Sequence, residues 1–167
     1  ENLRRLDGIL LTHGHKDHIA GLDDVRAFNY IQKKAVDIFA QQRVQEQIKK
    51  EFAYAFAEDR YPGVPEFHLN TIGDEPFRVN GLEVIPVEAL HYRLPVLGFR
   101  ISDMAYLTDL SHINEKEKTK LYGLKVVIVA ALRKKPHYSH FNLDQALHLI
   151  DELKPQQAWL THISHMM

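Results

Sequence analysis

Cysteine is absent from the 167 residues. That removes disulfides and every thiolate metal site, and it points to a reducing compartment, the cytoplasm being the simplest fit. No long apolar run exists either. The longest, Val126 to Leu132, is seven residues, where a membrane span needs about 20. Charge of one sign is missing too: 21 Lys and Arg stand against 22 Asp and Glu, a net −1, so there is no bulk attraction to nucleic acid or to an anionic membrane. Neither an internal repeat nor a Ser/Gly-rich linker interrupts the chain, and no domain boundary is placed within 1–167. With 45% hydrophobic and 26% charged residues, disordered and fibrous classes are excluded as well. Histidine is what the chain has in excess, with 11 copies, several of them in one cluster.

Strands dominate the pattern and helices interleave with them. Leu6 to Leu11 reads as a buried strand, Gly21 to Phe28 as the opening of a helix, and Val36 to Phe39 as a second strand. Val44, Ile48, Phe52, Ala55 and Phe56 recur at steps of three and four, which predicts a helix over 41–56. Asn80-Gly81 is a favoured two-residue hairpin turn between Phe77–Val79 and Leu82–Val87. Strands are further expected at 99–101, 104–108, 126–130 and 158–161. A helix is expected over 142–153, capped by Asn142 with Gln145 as its reciprocal partner and ended by Pro155. Leu143, Ala146, Leu147, Ile150 and Leu153 make its apolar face, and His148 falls off it.

Chemistry concentrates after the first strand, in Thr12-His13-Gly14-His15-Lys16-Asp17-His18. Imidazoles suit zinc and related transition metals, and a carboxylate can add to them. In an extended segment His13 and His15 point the same way, while Asp17 and His18 begin a turn and reach a second position. Three later strands end in similar fashion: His91 follows the strand begun at Leu82, Asp109 the one from Met104, and His162 the one from Ala158. A catalytic zinc wants about three protein ligands and an open position. Seven ligands divide into two such sites, with one carboxylate able to bridge.

The run His13-Gly14-His15-Lys16-Asp17-His18 resembles the His-x-His-x-Asp-His signature of the metallo-β-lactamase-fold hydrolases. The resemblance implies an α/β four-layer αββα sandwich. It also implies two divalent ions, zinc first with manganese or iron as alternatives. His13, His15 and His91 would hold one ion, Asp17, His18 and His162 the other, and Asp109 would bridge. It extends from Leu10 to His165, and it implies that early strands precede residue 1 and a further element follows Met167. Within the family the chain is similar to the small cytosolic phosphodiesterases, the branch that includes the phosphoribosyl cyclic-phosphate phosphodiesterase. Leu160-Thr161-His162-Ile163-Ser164-His165 resembles that branch's last ligand motif, and Leu97-Gly98-Phe99-Arg100 its strand after the third ligand. His140, 22 residues before His162, stands where that branch has a catalytic histidine just before a helix. Catalytic roles are thereby implied for His140, as proton donor to the leaving group, and for Asp17.

The activity implied is hydrolysis of a small or cyclic phosphodiester by a hydroxide shared between two metals. The alternatives are a dimetal hydrolase of a thioester, a lactone or an RNA 3′ end, and a non-catalytic metal-binding or di-iron protein. Nucleic acid is not the favoured partner, and a homodimer stays open. Tyr92 and Tyr138 flank the motif residues and fit either stacking on a base or sugar or packing in the core. Arg93, Arg133, Lys134 and Lys135 are candidate phosphate contacts, His165 a support for a ligand, and His68, His112 and His148 structural or exposed.

Overall fold

Two hydrophobic cores organise the chain, one in residues Glu1–Gly73 and one in Asp74–Met167. The structure, a computed structural model, describes residues 3–165 and 167.

In the first unit a parallel sheet of three strands runs β1 (Ile9–Leu10), β2 (Val36–Ala40) and β3 (Phe67–Thr71), with Ile9 opposite Ile38 and Val36 opposite Phe67. Period-two burial follows from the pleat: Val36, Ile38 and Ala40 are buried, and Asp37 and Phe39 face the other way. The connections are helical, as parallel strands require: α1 (Lys16–Ile19), a 3-10 stretch (Ala20–Val25) and α2 (Arg26–Gln32), then α3 (Gln42–Glu51) and α4 (Ala53–Phe56). The helix expected over 41–56 is interrupted at Phe52, where the last turn tightens and Ala55 bonds back to the Phe52 carbonyl. Val44, Ile48, Phe52 and Ala55 are nonetheless buried together with Leu11, Ile19 and Ile38.

The second unit holds six strands in sequence order: β4 (Phe77–Val79), β5 (Leu82–His91), β6 (Leu94–Ile101), β7 (Met104–Leu107), β8 (Val126–Ala130) and β9 (Gln157–Thr161). Pairing is antiparallel from β4 to β7 and parallel from β7 to β9. Strands β5, β7, β8 and β9 therefore all run the same way, and their C-terminal ends lie at one end of the sheet. Asn80 and Gly81 both hold positive φ in the first hairpin, as their turn demands. Between β7 and β8 lies a short helix, α5 (Glu115–Lys118), that hydrophobic periodicity does not show.

Helix α6 (Leu143–Leu153) carries the expected capping box between Asn142 and Gln145 and ends in left-handed Lys154 before Pro155. Its buried stripe is Ala146, Leu149 and Leu153. Leu147, expected on the apolar face, is exposed: it lies a single 100° step from Ala146, beyond the spacing-of-three-and-four stripe that meets the core. His148 is exposed, as its position off that stripe predicts. Among the described residues no helix is long and apolar enough to cross a membrane.

Candidate metal centre

In the first unit the cluster grows straight out of β1. Leu11 donates its backbone N–H to Phe39, keeping the segment tied to the sheet as it leaves the strand. His15 has extended backbone angles, φ −66° and ψ 149°, and α1 starts at Lys16. Extended geometry from His13 to His15 puts both rings on one side, as alternation predicts. His13 Nε2 and His15 Nδ1 are 3.1 Å apart, and the ring of His18 lies 4.2 Å from that of His13. His13 is 1% exposed, and its Nδ1 meets Thr12 Oγ1 at 3.0 Å. Asp17 Oδ2 is 3.5 Å from His18 Nε2 at the start of α1. Gly14 sits against Gln47 of α3, where an added Cβ would come within 3.3 Å of its side chain.

In the second unit the shared direction of β5, β7 and β9 delivers His91, Asp109 and His162 to one end of the sheet. Backbone hydrogen bonds lace the loops there. Phe141 donates to Leu110 (2.6 Å), Leu132 to Phe141 (3.0 Å), and Ser164 to Leu132 (2.9 Å). The segments carrying Asp109, His140 and His162 are thereby held in register. Asp109 is buried, and its two oxygens face different imidazoles: Oδ1 lies 3.2 Å from His162 Nε2, and Oδ2 lies 3.9 Å from His140 Nδ1. Thr108 Oγ1 donates to Oδ1 at 2.8 Å. The rings of His140 and His162 stack at 5.2 Å, and those of His91 and His140 meet at 4.5 Å. His91 Nδ1 is 2.7 Å from the Ser139 carbonyl.

These geometries fit a divalent cation. One ligand-type atom from each of His91, Asp109 and His140 lies within 4.8 Å of the other two. His140 Nδ1 is buried with no hydrogen-bond partner among the described residues, a state that ordinarily costs free energy. Imidazoles around a buried carboxylate are the nitrogen and oxygen donors that zinc, manganese and iron accept. Burial holds the His140 ring at about 4, well below an ordinary histidine. The Asp109 carboxylate works against that shift, and the neighbouring His91, His162 and His137 add to it. His140 enters this group by geometry although the family resemblance implies a proton-transfer role for it.

Asp109 (φ 51°) and His162 (φ 54°) both occupy the left-handed backbone region. Non-glycine residues rarely sit there, and such positions gather at functional sites. Asp and His are among the few non-glycine types that tolerate this region, but nothing local in the sequence marks these two positions for it. Thr108, Ser111 and the Ser139 carbonyl are further parts of the site that sequence reading passes over. His165 is exposed, His112 pairs with Leu90 through an isolated bridge, and His68 forms an ion pair with Asp37 at 2.6 Å. Arg133 is occupied by the carbonyls of Lys135 and Pro136, closing its own turn.

Residues 1–163 match the family model described as "Beta-lactamase superfamily domain". Among solved structures, a diphosphatase from the PhnP family is similar over 99% of this chain and 63% of its own, at 34% identity and a TM-score of 0.89. The metallo-β-lactamase fold protein YhfI from Bacillus subtilis is similar over 97% of this chain and 66% of its own, with 18% identity and a TM-score of 0.78, a likeness of fold. An octanoyltransferase of Porphyromonas gingivalis is 38% identical over 162 residues, 96% of this chain and 32% of that protein. The chain thus spans about a third of that relative and under two thirds of the diphosphatase. The PhnP-family likeness agrees with the phosphodiesterase branch to which His140 and the segment 160–165 point. With a parallel and a mixed sheet and their helices, and a family match over nearly its whole length, the chain belongs to the beta-lactamase superfamily and carries the metallo-β-lactamase fold of its hydrolases.

Proposed function

We propose that this protein is a dimetal hydrolase of small or cyclic phosphodiesters. The observation that carries the reading is the buried Asp109 carboxylate with two of the proposed ligand imidazoles gathered on it, His162 Nε2 at 3.2 Å from Oδ1 and a His91 nitrogen within 4.8 Å of a carboxylate oxygen. The family resemblance supports a ligand set of His13, His15 and His91 for one ion and Asp17, His18 and His162 for the other, with Asp109 common to both. Two divalent ions, zinc foremost, would supply Lewis acidity and lower the pKa of a shared water toward neutrality.

The chain's own residues would do the rest. Asp109 has a separate acceptor oxygen for each side of the site. Thr108 and the laced loops fix its orientation. His91 is held by the Ser139 carbonyl so that its Nε2 carries the lone pair. His140, which burial leaves neutral in the empty site, would take up a proton as the anionic diester enters beside it and hand that proton to the leaving oxygen. A phosphodiester fits this arrangement because the negative charge shared by its two non-bridging oxygens needs neutralisation and its alkoxide leaving group needs a proton.

A second reading, hydrolysis of an acyl thioester, is favoured by the octanoyltransferase likeness, since an octanoyl group moves through its carbonyl. Turnover of bis(4-nitrophenyl) phosphate beside an octanoyl thioester by the metal-loaded protein separates the two. Diester hydrolysis alone supports the first reading. Thioester hydrolysis alone contradicts it.

A further inference from the structure

Two tyrosines, Tyr92 directly after His91 and Tyr138 two residues before His140, stand outside the core. Tyr92 forms the tip of the β5–β6 hairpin and is 52% exposed; Tyr138, in the segment before α6, is 74% exposed. Their rings meet edge to face, with centroids 5.6 Å apart and planes at 86°. Core packing, one of the two roles the sequence allows them, is therefore excluded.

The hairpin tip is built in an unfavourable way. His91 pairs with Leu94, which leaves Tyr92-Arg93 as a two-residue turn, and Tyr92 holds φ 59°. Glycine, asparagine or aspartate is preferred there. A bulky ring with left-handed backbone angles is an outlier, and outliers of this kind point to a use for the side chain. The tip is also pinned. Tyr92 N–H donates to Ser111 Oγ at 2.8 Å, and the Ser111 hydroxyl donates to the Leu90 carbonyl at 2.9 Å. Ser111 lies two residues beyond Asp109, so the backbone that carries the Tyr92 ring is tied to the segment of the buried carboxylate.

A line of aromatic contacts runs back to the cluster. Tyr138 stacks on His137, centroids 4.6 Å apart and planes at 24°, and the His137 ring lies 5.2 Å from that of His140. Arg93 places its guanidinium 5.1 Å from the centre of the Tyr92 ring. The site thus has a rim of exposed π-faces with one cation on it, two ring contacts from His140.

We propose that Tyr92 and Tyr138 form an aromatic platform that selects phosphodiesters carrying a nucleobase, with Arg93 at its edge for a further anionic group. Exposed tyrosine faces accept any base, since every base has a π-face. This rests on the phosphodiesterase reading for its catalytic part.

The test pairs two diesters, the methyl ester of adenosine 5′-phosphate and the methyl ester of ribose 5-phosphate, with calorimetric binding of AMP to the metal-loaded protein. The expected result is a preference of about tenfold or more in kcat/KM for the base-bearing diester. Tyr138→Ala and Tyr92→Ala should each cut that preference by at least about fivefold, through KM rather than kcat, and weaken AMP by a similar factor; such factors lie at the low end of what base stacking provides. Tyr138→Phe should restore both. Tyr30→Ala, removing an exposed tyrosine of the first unit, should alter neither. An unchanged preference in the alanine variants, or an equal loss on both diesters, overturns the platform. If the wild type cleaves neither diester, the phosphodiesterase reading fails and AMP binding alone decides: loss in the two alanine variants upholds the platform, and unaltered binding removes it.

Discussion

His91 Nδ1 lies 2.7 Å from the carbonyl oxygen of Ser139. A carbonyl only accepts, so Nδ1 must carry the proton and the lone pair belongs to Nε2. This contact ties the end of β5 to the segment that carries His140 and decides which nitrogen can meet a metal. Nitrogen-15 NMR of the imidazoles should show His91 in the Nδ1–H form, with the Nε2 resonance moving on addition of zinc. An Nε2–H tautomer that zinc leaves unmoved would remove His91 from the ligand set.

Asp109 faces an imidazole with each oxygen. The family resemblance makes Asp109 common to both ligand sets, so Asp109→Ala should lose more bound metal than His91→Ala or His162→Ala, since both ions lose a shared partner. Metal analysis of the dialysed variants checks this. Two tightly held ions in Asp109→Ala would show that it does not bridge.

His140 combines a ligand-type position with a proposed proton-transfer role. His140→Ala should keep both metals and lose turnover by about 10²–10⁴, the usual worth of a positioned acid. The loss should be large for an alkyl diester and much smaller for a nitrophenyl diester, whose leaving group departs without a proton. Equal losses on the two would indicate damage to positioning. Lost metal would make His140 a ligand.

Gly98, in β6, leaves no room for a side chain. An added Cβ would run into Leu107 Cδ2 and stand 2.9 Å from the Tyr106 carbonyl oxygen. Relief requires β6 and β7 to move apart at the strand that ends beside Asp109. Gly98→Ala should destabilise by about 1–3 kcal/mol, the usual scale of overpacking, and lower Tm by several degrees in thermal denaturation. An unchanged Tm would mean that the β6–β7 contact is looser than described.

Much of this architecture was legible before any coordinates. The strand over 126–130, the Asn80-Gly81 turn and the capped helix at 143 follow from local rules: an unbroken apolar run, a dipeptide tolerant of positive φ, and a reciprocal pair three residues apart. The grouping of His91, Asp109 and His162 was legible from their places after strands, because strands running one way gather their ends. What was not legible depends on three-dimensional pairing. β3 (Phe67–Thr71) has mixed burial and follows two prolines, so only its register with β2 makes it a strand. The extent of β5 to His91 is set by its long pairing with β6, beyond the apolar run that ends at Val87. The left-handed angles of Tyr92, Asp109 and His162, and the Ser139 and Ser111 contacts, arise from loop closure among distant segments and leave no local mark in the sequence.

The central claim is a two-metal centre that hydrolyses phosphodiesters, and a metal titration of the chelator-stripped protein tests it most directly. Zinc or manganese is added stepwise while bound metal and bis(4-nitrophenyl) phosphate turnover are followed together. The account predicts that the stripped protein is inactive, that turnover returns in step with binding, and that both saturate at two ions per chain. Turnover that persists without metal, or two bound ions with no diester cleavage, would contradict it.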